Sequence, residues 1–529
     1  MKSLYIFLFF LAMQGTVNTY AQAGHYDPDF GGGDGWISTT LYENQPSQGD
    51  AIAVQSDGKI LVSGYTKASD NKWYGYLLRY KSDGLLDSSF NGTGKMLIPS
   101  AYPNSGSEAI IIQPDKKIII SVLASDSMHT RFFLYRFNID GSPDLTFSGD
   151  GFTGDSLGAR DLSAYAMAIQ PDGKILVGGY VEYDNDLFDR FWVERFLPNG
   201  NLDHSFDGDG LVMTKVGEDY SGLSNLFIQG DGKIIATGYA TFNSNYDFVA
   251  VRYNSNGSLD HSFSGDGIAT ASISTGDDRS SDAALQPDGK IVLVGEGFSS
   301  ATGLDAFAAA RFNSDGTLDQ GFHGNGMVQI LVSGHSDGGR CVVLQPDGKI
   351  VIGGYAHSEI QGGFDMALVR LNANGIPDFD FDGDGVKIFE DDDMTESDLA
   401  RLALQPDGKI VGTGVVRFGF LNTIRVARFI TGLTTSTKDD FLPIAEVSLY
   451  PNPVHEKIML NYNLDKTESI SINLCDVQGR VIQQLLSSIE RNPGHHVEEL
   501  NIQQGLPAGN YIVNIQTRAG VKALKIVME

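Results

Sequence analysis

The sequence predicts an all-β fold, a seven-bladed β-propeller followed by a small β-sandwich, on three observations. One phrase, Gln-x-Asp-x-Lys followed by an apolar run, recurs at Gln55, Gln113, Gln170, Gln229, Gln286, Gln345 and Gln405, spaced 57–60 residues apart. Two further phrases keep step with it: Asp-x-x-Phe from Asp27, Asp87, Asp144, Asp203, Asp260, Asp319 and Asp378, and an arginine at 79, 136, 195, 252, 311, 370 and 428. No helical pattern falls between them, and each unit reads as four short strands, as in sheets packed side by side around an axis.

One unit shows each element in order. Residues 166–170 form a short apolar strand, and Pro171-Asp-Gly173 supplies the fixed φ and the positive φ of a tight turn. Residues 174–180 are apolar almost throughout, as expected of a strand covered on both faces. The third strand is Phe191-Trp-Val-Glu-Arg195-Phe, and Asn199-Gly200 then marks a hairpin. The Asp203-His-Ser-Phe206 phrase and a Gly-rich stretch lead into a fourth strand over 211–215. In the second unit Lys116 replaces the turn glycine, so a strained hairpin is expected there.

Phase favours a closed ring over a parallel β-solenoid. The last unit stops at Arg428-Phe429 without its Asp-x-x-Phe phrase, while an orphan copy, Asp27-Pro-Asp-Phe30 followed by Gly35-Trp-Ile-Ser-Thr, stands near the N-terminus. The N-terminal strand is expected to complete the last blade and remove two exposed edges.

The propeller is assigned to residues 24–430, between an export signal at 1–23 and a small polar linker at 431–445. Lys2, the apolar run over 4–13 and Ala21-Gln22-Ala23 form the signal. The run is too short to span a bilayer and no later stretch is long and apolar enough, so no transmembrane segment is expected. Short strands over 457–462, 469–475, 480–486, 511–516 and 521–527 build the terminal sandwich, residues 446–529.

Residues 27–429 resemble the delta-60 repeat family of seven-bladed propellers, through Gln-Pro-Asp-Gly-Lys-Ile, Arg-Tyr-Asn and Leu-Asp-x-Ser-Phe. That resemblance implies a fold and no defined activity. Residues 446–529 resemble the type A sorting domain of the type IX secretion system of Bacteroidetes, through Tyr450-Pro-Asn-Pro453, Asp476-Val-Gln-Gly-Arg480, Leu506-Pro-Ala-Gly-Asn-Tyr511 and Lys522-Ala-Leu-Lys-Ile-Val527. It implies the type IX machinery as partner, passage across the outer membrane and removal of the domain. The cargo would be secreted or held on the outer cell surface.

Charge narrows the partners. The chain has 66 Asp and Glu against 38 Lys and Arg, net −28, and a surface that acidic repels nucleic acid and anionic lipid. The two cysteines, Cys341 and Cys475, lie in different domains among apolar residues and read as small buried hydrophobes.

Few motifs suggest chemistry. Gly334-His-Ser336-Asp-Gly338 matches a nucleophile elbow, but a strand follows where the elbow needs a helix. No catalytic residue is assigned and no organic cofactor is expected. Asp380, Asp382, Asp384 and Asp391 match the spacing of a calcium loop, in a strand context where turn chemistry also explains them. The repeating arginine and aspartate are expected to pair, as Arg79 with Asp87, Arg252 with Asp260 and Arg428 with Asp27, because a partly buried guanidinium needs a carboxylate. The alternative is seven arginines lining the channel as an anion site.

The connections that vary between units all emerge on one face, and Trp73, Tyr74, Tyr183 and Asp277 are the binding candidates there. Aromatics beside carboxylates suit a glycan, or a protein ligand that is cationic or calcium-bridged. The functional expectation is a non-enzymatic binding or adhesion module. The alternative is a secreted propeller enzyme acting on glycans or esters at the channel mouth.

Overall fold

The structure is a computed structural model that describes residues 23–528 except 100–103, 126–128, 184–187, 300–301, 359–362, 391–395, 419–420, 433–443, 451–453, 455–456, 465–466, 476–480, 504–505, 507–508 and 518–520. Residues 1–22 of the expected signal peptide, Asp391, residues 451–453 and the Asp476 to Arg480 motif therefore lie outside the described residues, whereas Ala23 is described and buried. Those described form strands and no helix, in two compact units, Met1–Leu433 and Thr434–Glu529.

In the larger unit the described strands make seven sheets. Ser47–Val54, Ile60–Lys67, Trp73–Tyr80 and Lys95–Leu97 pair antiparallel in that order. The pattern recurs through the sheet that ends with Val386–Ile388, with one departure. In the third sheet the first strand is broken into Asp161–Leu162 and Ala166–Ile169, both paired with Ile175–Glu182. In the remaining sheet Glu396–Leu404, Ile410–Phe418 and Leu421–Phe429 are joined by Trp36–Thr39, with Trp36 opposite Ala427 and Thr39 opposite Ile424.

Successive first strands are neighbours, and Ser47–Val54 also lies against Glu396–Leu404. Apolar clusters fill each gap between adjacent sheets. One holds Phe30, Ile60 and Val62 against Val411, Ile424 and Val426. The second strands are buried on both faces, which is why they read as continuous apolar runs.

The three repeated phrases meet in one cluster per sheet. Each arginine Nε lies 2.6–2.8 Å from the Oδ2 of its aspartate. The lysine of the Gln-x-Asp-x-Lys turn reaches the same oxygen at 2.6–3.3 Å. Each guanidinium stacks on the phenylalanine of Asp-x-x-Phe at 4.5–4.9 Å. For Arg428 and Asp27 the N–H points off the line of a hydrogen bond, although the ions are 2.6 Å apart. Burial raises the Asp203 pKa, but Ser205, Lys174 and Arg195 outweigh it and hold the carboxyl at about 2. All seven arginines and aspartates are at most 7 % exposed, so a channel of open guanidinium groups does not form.

The same arginine holds the next sheet. Its Nη1 donates to a backbone carbonyl there: Ile139, Pro198, Ser255, Ser314, Ala373 and Thr431 in turn, with Arg428 reaching Ser82. The phenylalanine packs under the glycine of that turn. A Cβ on Gly84 would meet Phe30 at 2.8 Å and one on Gly375 would meet Phe322 at 2.8 Å, while both glycines hold a positive φ.

In the second unit Lys116 makes the turn with a φ of 70° and donates its N–H to the Gln113 carbonyl at 2.8 Å, as Gly58 does to Gln55. The hairpin is therefore conserved in shape and strained in conformation. The smaller unit packs two sheets, Ile444–Tyr450, Lys457–Leu464 and Gly494–Asn501 in one, and Val481–Arg491, Glu468–Cys475, Gly509–Gln516 and Val521–Met528 in the other. Ile458, Leu460, Ile470, Ile472, Val513 and Ile526 fill its core. Cys341 and Cys475 are buried and unbridged.

Two variants test these packing arguments. Lys116→Gly removes the strain and is expected to raise the urea midpoint by an amount worth about 0.5–1 kcal/mol. Glu194, the residue before Arg195, is 2 % exposed with Oε2 lacking a hydrogen-bond partner. Other units carry Leu78, Tyr135, Val251, Ala310, Val369 and Ala427 there. Burial first, then Asp155 and Asp209, push the Glu194 pKa from 4.5 up to about 8. A carboxyl raised on folding costs nothing below its unfolded pKa and costs progressively more as pH climbs to the folded value. Thermal melts of Glu194→Val should thus show a gain that grows between pH 5 and pH 8, reaching on the order of 2 kcal/mol or more.

Candidate functional site

Every first strand carries one residue too many for its partner. The register slips at Asp50, Glu108, Ser224, Ser281, Arg340 and Ala400, and the third sheet breaks its first strand around Tyr165. All seven positions stand five residues before the glutamine of the repeat. A bulge turns one side chain out of the strand's alternation and re-aims it. The second strand accommodates it with glycine. A Cβ on Gly64, Gly238, Gly295, Gly354 or Gly414 would come within 2.0 Å of a first-strand carbonyl oxygen. The residue ten beyond the repeat's glutamine is Tyr65, Leu123, Tyr180, Tyr239, Glu296, Tyr355 or Val415, preceded by glycine in every unit but the second, where Val122 stands.

Seven of these residues, Tyr165, Ser224, Ser281 and Arg340 from the bulges and Tyr180, Tyr239 and Glu296 from the second strands, line a cleft of about 610 Å³ where the first strands begin. Tyr165, Tyr180, Tyr239 and Tyr246 form its aromatic walls. Tyr239 meets Tyr246 edge-on at 5.3 Å, and Tyr165 lies 6.5 Å from Tyr180. Arg279, Arg340 and Arg401 and the carboxylates Glu182, Asp189 and Glu296 supply the polar groups. Arg279 stacks on Tyr246 at 4.5 Å, and Arg340 pairs with Glu296 at 3.3 Å. Tyr355 donates its hydroxyl to Glu296 at 2.9 Å. Burial, then Asp161, push the Tyr180 phenol up to about 12 and also raise the Asp189 pKa.

Two smaller cavities adjoin it. One of about 450 Å³ shares Tyr165 and Tyr180 and adds Tyr65, Trp73, Glu108 and Asp161. Another of about 370 Å³ shares Arg279 and Glu296 and adds Asp277, Phe298 and Asp305. At the other end of the strands, a cavity of about 620 Å³ is lined by the Gln-led turns around Gln229 and Gln286 and by Arg252, whose guanidinium is already engaged by Asp260 and Ser314.

The candidates read from sequence divide. Trp73 lines the 450 Å³ cavity, its ring 5.2 Å from Tyr65, and Asp277 lines the 370 Å³ cavity, 3.2 Å from Arg279. Tyr74 donates to Asp70 at 2.7 Å and Tyr183 to the Leu157 carbonyl at 3.2 Å, and neither lines these clefts. Tyr183 instead packs on the core between the second and third sheets. Asp382 pairs with His25 at 2.9 Å and Lys387 at 3.1 Å, and Asp384 accepts the Val386 N–H at 2.9 Å. Asp380 donates its backbone N–H to Asp378 at 3.3 Å. Among the described residues no group of three His, Cys, Asp or Glu is placed to hold a metal ion. Ser336 Oγ accepts the Asp305 N–H at 3.4 Å in a loop that enters strand Gly338–Leu344.

The tyrosine walls escaped the sequence reading. A signal for two of them, Tyr180 and Tyr239, was present in the dipeptide Gly-Tyr, which recurs at 64–65, 179–180, 238–239 and 354–355.

Comparison with known proteins agrees with this architecture. The model of the family described as a domain of unknown function (DUF5122) beta-propeller matches residues 55–90, 113–147, 170–206, 229–263, 286–322 and 345–381. Each match runs from the repeat's glutamine to its phenylalanine, a span that the seventh unit divides between Gln405 and Phe30. The model of the secretion system C-terminal sorting domain matches 448–529. A search of curated proteins returns no match. Among solved structures, the polysaccharide lyase Uly1 is 12 % identical over 72 % of this chain and 90 % of its own, with a TM-score of 0.39. PorZ, a surface component of the type IX secretion system of Porphyromonas gingivalis, is 10 % identical over 90 % and 74 %, with a TM-score of 0.26. The propeller domain of the Trilobed protease from Pyrococcus furiosus is 10 % identical over 73 % and 94 %, with a TM-score of 0.39. Likenesses this remote say nothing of activity. By its six matched repeats and its matched tail, the chain belongs to the DUF5122 β-propeller family and ends in a type IX sorting domain.

Proposed function

We propose that this is an exported binding module, a seven-bladed propeller closed by its N-terminal strand that holds a saccharide in the tyrosine-walled cleft. The sorting domain directs the chain out of the cell, onto the surface or into the medium. Among the described residues no helix is long and apolar enough to cross a membrane.

The observation that carries the reading is the convergence of Tyr165, Tyr180, Tyr239 and Tyr246 from neighbouring sheets on one 610 Å³ cavity. Sugar rings present flat C–H faces and a rim of hydroxyls, which suits aromatic walls edged with carboxylates, arginines and serines. Closure is supported by the pairing of Trp36–Thr39 with Leu421–Phe429 and by the Arg428 contacts to Asp27 and Ser82. A second reading, an enzyme acting on glycans, is favoured by Asp189, whose raised pKa beside Glu182 and Glu296 suits a general acid.

Two experiments test the proposal. In calorimetric titrations with a panel of soluble polysaccharides, Tyr180→Ala and Tyr239→Ala should each weaken binding at least about tenfold, the scale of a lost aromatic contact, and Tyr74→Ala should leave it unchanged. Binding indifferent to both cleft tyrosines defeats the assignment, and release of reducing ends during the titration moves it to the enzyme. Deleting residues 27–39 should lower the melting temperature sharply, since it strips Arg428 of its carboxylate and leaves the cation buried, at about 3–5 kcal/mol. An unchanged melt would mean the ring does not close there.

A further inference from the structure

The 450 Å³ cavity differs in charge from the cleft beside it. Tyr65, Trp73, Tyr165 and Tyr180 supply four aromatic rings, and Glu108 and Asp161 supply carboxylates, with no lysine or arginine among the lining residues. Neither carboxylate is ion-paired within the described residues. Asp161 accepts hydrogen bonds from the Thr130 hydroxyl at 3.0 Å and the Leu162 N–H at 2.9 Å, and the Tyr180 hydroxyl stands 3.5 Å away. Glu108 occupies the bulge of the second sheet, which aims it into the cavity. Trp73 already attracts one ammonium, that of Lys67 at 5.7 Å from its ring.

Aromatic faces carry partial negative charge and strip little water from a weakly hydrated cation, so rings arranged around a carboxylate favour an organic ammonium over a neutral group of the same shape. We propose that this cavity is a second binding site, for a primary or quaternary organic ammonium group, held between Glu108 and Asp161 against Trp73 and the tyrosines. The site stands independently of the saccharide reading. It shares Tyr165 and Tyr180 with the larger cleft, whereas Glu108 and Trp73 belong to it and not to that cleft.

Binding should depend on pH through Glu108. Burial, then the neighbouring Asp50, push its pKa from 4.5 up to about 7, against a smaller opposing effect of Arg401. Tyr65 and Tyr165 also feel its charge. A cation placed beside it favours the ionised form, so the affinity rises as pH climbs from 6 to 8.

Trp73 supplies the readout, since Trp192 is fully buried and Trp36 lies under the Arg425 guanidinium at 4.1 Å. Choline titrated into the full chain should change tryptophan fluorescence saturably. Its neutral isostere 3,3-dimethyl-1-butanol should bind at least about tenfold more weakly. Glu108→Gln should weaken choline binding severalfold at pH 8 and little at pH 5.5, flattening the pH profile, and Trp73→Phe should remove the fluorescence change while calorimetry still detects binding. Circular dichroism of both variants checks their folding, and Asp161→Asn gives a second charge removal. Equal binding of the neutral isostere, an equal response to potassium chloride, or a pH profile unchanged in Glu108→Gln would each overturn the proposal. Choline binding by a full chain that binds none of the saccharides would count against the reading of the larger cleft alone.

Discussion

One ion pair per sheet organises the larger unit. A guanidinium removed from water is costly unless every face of it is occupied, and here the lysine-bound oxygen of Asp, the Phe ring and a carbonyl of the next sheet occupy it together. The pair is therefore not an ornament on finished sheets. Because Nη1 reaches the following turn and the phenylalanine fills the space beneath that turn's glycine, each sheet is seated by the one before it. This accounts for the uniformity of three phrases that are far apart in each repeat: they are parts of a single joint between neighbours.

Uniformity of scaffold does not mean uniformity of purpose. The bulge recurs in the first strands, met by a glycine of the second strand in all but the second sheet, yet the side chain it presents runs through Asp50, Glu108, Tyr165, Ser224, Ser281, Arg340 and Ala400. A fixed backbone device thus displays a freely chosen residue. The cavities take part of their chemistry from that choice, since Glu108 makes the smaller one acidic and Arg340 adds a cation to the larger.

Much of this fold could be read from residue pattern. The strands, the Gln-led turns and the partnership of Arg428 with Asp27 follow from spacing and from the cost of a buried cation. The broken first strand at 161–169 could not, since nothing in Ser163-Ala-Tyr165 departs from strand composition. Trp73 and Asp277 were legible as exposed groups on variable connections, but Tyr74 and Tyr183 satisfy their hydroxyls locally, a matter of rotamer and neighbour that spacing does not encode. Tyr165 and Tyr180 belong to the third sheet and Tyr239 to the fourth, and only the arrangement of those sheets brings them to one cavity.

Six of the arginine–aspartate pairs close loops of eight residues, while the seventh joins positions about 400 residues apart. Chain-closure entropy grows with the logarithm of loop length, so forming the long pair from an open chain costs about 3.5 kcal/mol more than forming a short one. The short pairs need only eight residues of chain to form, whereas Asp27 meets its two cations, Lys409 and Arg428, only across nearly the whole length of the unit. Until Trp36–Thr39 docks, the strand Leu421–Phe429 keeps a bare hydrogen-bonding edge. Docking of Trp36–Thr39 thus carries the largest chain-closure cost among the described strand pairs of this unit.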